Sequence, residues 1–160
     1  MNEAIAESIE QLRPWMPWAE KMPTLEDSET DIRRARLQFL ERENLRLILI
    51  QKDTGQIIGS SGLHRIDWQA RKFEIGYWVR TSFSKQGFIT EAADAITNYA
   101  IQELQANRIE IRCDSRNTQS AQVAKRLGFT LEGVLRNDSC GVDGSLRNTM
   151  VFSKIRGVEF

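Results

Sequence analysis

Three short runs rich in β-branched and alternating apolar residues, Leu45–Ile50, Gln56–Leu63 and Arg71–Arg80, follow one another with only turn-length gaps, and no helical period intervenes before Ile89. Strands this close in sequence pair antiparallel, because a parallel neighbour needs a crossover of about a dozen residues or more. Asp53-Thr54-Gly55 supplies the first turn. In the third run Phe73, Ile75, Tyr77 and Val79 share one face, and Glu74, Gly76 and Trp78 share the other. The period then turns helical over Ile89–Leu104, strictly alternating over Arg108–Cys113, and helical again from Asn117 to Leu127, where Gly128 stops it. Phe129–Asn137 and Leu146–Lys154 form a last antiparallel pair joined by Asp138–Gly144. Ahead of the strands lie two helices. Ala4–Leu12 is halted by Pro14 and Pro17, and the second is capped at Thr24 or Ser28, with Ile32, Ala35, Phe39 and Leu40 on one stripe and an end near Glu43. The order predicts a mixed α/β layer fold.

At 160 residues the chain is expected to be one domain, residues 1–160. Lys plus Arg and Asp plus Glu are each 22, so no bulk field draws it to nucleic acid or an anionic membrane, and any anion must be held locally. The longest apolar run, Leu47–Ile50, is far short of a membrane span, and the polar start Met1-Asn2-Glu3 does not read as a signal peptide; the expected location is cytoplasmic. One histidine and two cysteines, Cys113 and Cys140, predict no metal centre and no disulfide framework.

The strongest local signal is Ser84-Lys85-Gln86-Gly87-Phe88-Ile89-Thr90, a polar loop opening a helix. Backbone N–H groups at a helix start hold phosphates without any particular side chain, Gly87 permits close approach, and Lys85 adds charge. An ordinary strand-to-helix connection is the competing reading. Neither a P-loop nor a dinucleotide fingerprint is present.

Taken in order, Glu74-Ile75-Gly76-Tyr77-Trp78-Val79, Gln86-Gly87-Phe88-Ile89-Thr90-Glu91-Ala92, Asn117-x-x-Ser120, Leu127-Gly128-Phe129 and Glu132-Gly133-x-Leu135-Arg136 resemble the GNAT N-acetyltransferase superfamily, and within it the bacterial ribosomal-protein N-terminal acetyltransferase branch. The likeness covers nearly the whole chain. It implies a mostly antiparallel central sheet with helices on both faces, acetyl-coenzyme A as cosubstrate without a metal, and a primary amine as acceptor. A ribosomal-protein N-terminus is the first choice, with small-molecule amines or a non-catalytic acyl-coenzyme A binding module as alternatives. Two departures stand out in the loop: Ser84 occupies a position usually held by Gln or Arg, and Ile89 one usually held by Gly or Ala. A third is the missing first strand, since the chain opens almost directly into helix.

The resemblance implies that Ser84, Lys85, Gln86, Gly87, Phe88, Ile89 and Thr90 hold the pyrophosphate. It also implies that backbone at Val79 places the thioester beside a splayed strand, and that Asn117 reaches the pantetheine arm in addition to capping its helix. Glu74 is the expected base for the amine, or else a structural partner of Arg71, Lys72 or a neighbouring strand. Ser120 is expected to protonate the leaving thiolate, or else to bond its own helix backbone. His64, the sole imidazole, is a second candidate base or a structural residue. Trp15 and Trp18 are expected to wall the acceptor groove or to close the first helix onto the sheet. Cys113 is expected to be a small buried hydrophobe and Cys140 exposed. Asn148 stands where relatives often carry Asp, a change expected to touch only a structural hydrogen bond. With no strand before it, Leu45–Gln51 is expected at a sheet edge, which a second copy of the chain would cover in a homodimer, with Trp15 and Trp18 as contacts.

Overall fold

A computed structural model describes residues 1–160. Helix α1 (Asn2–Leu12) and helix α2 (Leu25–Leu40) flank a short 3₁₀ turn at Pro17–Ala19. There follow β1 (Leu45–Ile50), β2 (Ile57–Asp67), β3 (Lys72–Val79), α3 (Phe88–Gln102), β4 (Arg108–Asp114), α4 (Thr118–Arg126), β5 (Thr130–Cys140) and β6 (Leu146–Ile155). This is the expected succession. The strands form one six-stranded sheet in the order β1-β2-β3-β4-β6-β5, antiparallel everywhere except between β3 and β4. No helix is long and apolar enough to cross a membrane.

Thr24, not Ser28, caps α2: its hydroxyl accepts from the Asp27 N–H while the Asp27 carboxylate accepts from the Thr24 N–H, so two otherwise orphaned donors are satisfied. The apolar stripe of α2 is not buried as expected. Ile32, Phe39 and Leu40 remain exposed, because α2 lies over the sheet margin, where little of the sheet reaches it. Asn117 caps α4, and Gly128 ends that segment at φ 73. The segment Asp138–Cys140, expected to be loop, continues β5 past a bulge in which Asn137 takes φ 52 and donates its N–H to Asn148 Oδ1.

The main core fills the α3/α4 side of the sheet. Phe73, Ile75, Ile109, Ile111 and Phe152 are fully buried there against Ala93, Ala100 and Ala124, whose small side chains let the helices approach closely. This rigid face fixes where the other side of β3 points. Helices α1 and α2 lie over that other side and leave a groove of about 790 Å³ bounded by Trp18, Ile32, Ile48, His64, Gly76 and Trp78.

Candidate active site

Strands β3 and β4 run parallel but pair only over Lys72–Glu74 and Arg108–Glu110. Beyond Glu74 the two strands have no ladder, so the sheet opens in a V. The Arg80 N–H donates to Ile58 O and Gly76 O accepts from Ser61 Oγ, which shows that the even-numbered residues of β3 turn their peptide groups toward β2. By alternation, the peptide groups of Tyr77 and Val79 face the V. They offer an added, strand-like ligand the hydrogen bonds that β4 does not take.

At the wide side of the V the chain enters α3. Gly87 is the N-cap at φ 89, Lys85 is also left-handed at φ 62, and a Cβ on Gly87 would meet nothing within 4 Å. The first intrahelical bond is that from the Glu91 N–H to Gly87 O, so the N–H groups of Phe88, Ile89 and Thr90 precede it without helical acceptors. Open space over left-handed backbone at the positive end of a helix suits a pyrophosphate. The loop is braced from α1. Glu7 accepts from Arg80 Nε (2.5 Å) and the Ser82 N–H (2.8 Å), and Ser8 Oγ accepts from the Thr81 N–H (3.0 Å). Hydrogen bonds from Ser82 and Arg80 hold the Glu7 carboxyl down at about 2.

Helix α4 begins on the V's other flank. Asn117 Oδ1 accepts from the Ser120 N–H (3.0 Å), and the Ser120 hydroxyl lies 3.1 Å from Tyr77 Oη, a link between α4 and β3 that strand alternation does not reveal. Burial pushes the Tyr77 phenol up to about 12, so it stays protonated. Cys113, partly rather than fully buried, sits beside the same hydroxyl, and burial raises its thiol pKa. Cys140 is exposed.

Glu74, Gly76 and Trp78 project on the groove side. Of the expected partners of Glu74, it is the neighbouring strand that supplies one: Arg65 of β2, at 3.0 Å, rather than Arg71 or Lys72. A bulge after His64, with Arg65 at φ 44, brings that guanidinium back along β2, while Arg71 donates to Leu104 O instead. Burial raises the Glu74 pKa against the lowering pull of Arg65 and Arg112. Trp18 packs against Trp78 at the groove wall, ring centroids 6.0 Å apart, and Trp15 is half-buried.

Residues 3–130 match the family described as "Acetyltransferase (GNAT) domain". The chain belongs to the GNAT acetyltransferase family. It is 33% identical over 158 residues to the "Putative ribosomal N-acetyltransferase YdaF" of Bacillus subtilis, spanning 98% of this chain and 84% of that one. It is 32% identical over 127 residues to the "Ribosomal-protein-serine acetyltransferase" of Escherichia coli, spanning 78% and 70%. Among solved structures, the microcin C7 self-immunity acetyltransferase MccE, in complex with acetyl-CoA and AMP, superposes with a TM-score of 0.89 at 26% identity over 96% of this chain and 84% of that one. This GNAT enzyme transfers acetyl groups from acetyl-coenzyme A, and its sheet, with helices on both faces, is that of the family. The V, the α3 N-terminus and the Ser120 flank meet on one side of β3, and the groove opens on the other.

Proposed function

We propose that the chain acetylates the α-amine of a protein N-terminus, with ribosomal proteins as the acceptor class. The V beside β3 carries the reading: it joins a phosphate-binding helix start to a groove long enough for the first residues of a peptide. The names of the Bacillus and Escherichia relatives support the ribosomal choice.

In this reading Ser84, Lys85, Gln86 and the N–H groups of Gly87, Phe88, Ile89 and Thr90 hold the pyrophosphate, and the amide Nδ2 of Asn117 donates to the pantetheine arm. The Val79 peptide polarises the thioester carbonyl, worth about 10²–10³ in rate for a well-placed oxyanion donor. Ser120 gives a proton to the departing thiolate. Glu74 places a carboxylate on the side from which the ammonium arrives. A single domain spanning residues 1–160 working in the cytoplasm fits this role.

The test offers acetyl-coenzyme A with peptides bearing free Ser, Ala or Met N-termini, N-blocked peptides carrying one lysine, and a set of small amines. Mass spectrometry then locates the acetyl group. Acetylation of free N-termini alone supports the reading, and turnover confined to lysine side chains or small amines refutes it.

A further inference from the structure

Two candidate bases lie on the groove side of the sheet, and they are placed differently. Glu74 does not line it, is held by Arg65 at 3.0 Å, and sits at the last rung where β3 and β4 are still paired, the closed end of the V. His64 does line it, together with Gly76, Tyr77 and Trp78. Its imidazole lies across Gly76: a Cβ there would stand 2.9 Å from Cδ2 and 3.0 Å from Nε2. Only glycine at this position lets the ring lie over β3, one residue from the peptide groups that face the V.

We propose that His64 is the catalytic residue that takes the proton from the acceptor ammonium. The inference rests on the N-terminal acceptor reading and assigns its proton. The ammonium gives one proton to the imidazole, and the freed amine attacks the thioester carbonyl. The C–N bond forms and the C–S bond breaks. The nitrogen's second proton leaves to water, which reprotonates Ser120 after it hands its own proton to the thiolate, and imidazolium returns its proton to water through the groove.

The charged surroundings agree with this role. Asp31 from α2 pairs with Arg46 from β1 at 2.8 Å, Asp27 is occupied at the α2 cap, Arg36 lines the far wall, Arg65 adjoins on β2, and Glu74 faces Arg65. Burial first, then Arg46 and Arg65, lower the His64 pKa, so the ring is neutral at pH 7 and ready to accept.

The experiment compares His64→Gln, His64→Ala and Glu74→Gln with the parent across pH 5.5–9.5, using the best peptide and saturating acetyl-coenzyme A. Calorimetric acetyl-coenzyme A affinity reports folding. His64→Gln is expected to lower kcat/KM for the peptide about 10²-fold at pH 7 and to shift the acid limb of the profile upward, so that activity recovers only toward high pH as free amine accumulates. Added imidazole is expected to restore part of the His64→Ala rate, and Glu74→Gln to cost less than His64→Gln. A His64→Gln loss under threefold with the acid limb intact overturns the assignment, as does a larger loss in Glu74→Gln. If the parent acetylates only some other amine, the acceptor reading fails, and the same profiles measured with that amine still decide the role of His64.

Discussion

The phenolic oxygen of Tyr77 lies 3.1 Å from both the hydroxyl and the carbonyl oxygen of Ser120, tying β3 to the first turn of α4 across the open end of the sheet. The carbonyl can only accept, so the Tyr77 O–H donates to it, and the Ser120 O–H donates in turn to Tyr77 Oη, which fixes the hydroxyl whose proton goes to the thiolate. Ser120→Ala is expected to lower kcat about tenfold, less than the usual 10²–10⁴ of a general acid because a thiolate is a fair leaving group. Tyr77→Phe keeps the ring in the core and is expected to lower kcat several-fold with the KM for acetyl-coenzyme A unchanged. The double variant should be no slower than Ser120→Ala alone, since residues acting through one hydroxyl do not add. Initial rates for the four proteins check this, and additive losses would separate the two side chains.

Gly87 pairs a left-handed φ of 89 with empty space over its Cα. In Gly87→Val the folded domain pays backbone strain, and the new side chain fills the volume a phosphate would enter. Loss of acetyl-coenzyme A affinity by about 10²-fold or more, measured by calorimetry on a protein with parent-like circular dichroism, is the expected result. Unchanged affinity would remove this loop from the site.

Much of the architecture was legible because the apolar periods are clean: β3 alternates through Phe73, Ile75 and Tyr77, and that face of the strand turns into the core. Capping chemistry placed α2 and α4 to within a few residues. The V between β3 and β4 came only from the family resemblance, since backbone that pairs and backbone that parts carry the same side-chain alternation. The Arg65–Glu74 pair depends on a bulge, and bulges leave no mark on periodicity. The exposed stripe on α2 misled for a related reason, because spacing tells which residues share a face but not whether anything covers it.

The brace from α1 gives a pH signature. Glu7 is held at about 2 by Ser82 and Arg80, below the ordinary glutamate value, so its contribution to the folded state is present above the unfolded value and is lost as pH falls from about 4.5 toward 2. Glu7→Gln is expected to melt lower than the parent at pH 7, with the gap closing as melts are repeated at pH 5, 4 and 3. A gap that is constant over that range would assign the effect to packing and not to the carboxylate.

Strand β1 pairs only with β2, and the first helix begins at Asn2, so the Leu45–Ile50 edge has no strand partner within the chain. Leu47, Ile48 and Ile50 are exposed along it, and an apolar groove of about 620 Å³ lined by Phe39, Leu45, Leu47, Ile96 and Tyr99 runs beside it. Such an edge, with Arg46 as its only charge, is one that soluble proteins cover. We propose a homodimer in which a second copy covers β1, with β1 itself as the contact, since Trp18 is set against Trp78 in the acceptor groove. Light scattering at micromolar concentration should give twice the chain mass, and Ile48→Lys with Ile50→Lys should return it to monomer. Amides of residues 45–51 should exchange slowly in the parent and fast in the double variant. A strict monomer whose β1 amides are already fast refutes the dimer and leaves the edge bare, whereas a monomer with slow amides refutes it by showing that the chain shields its own edge.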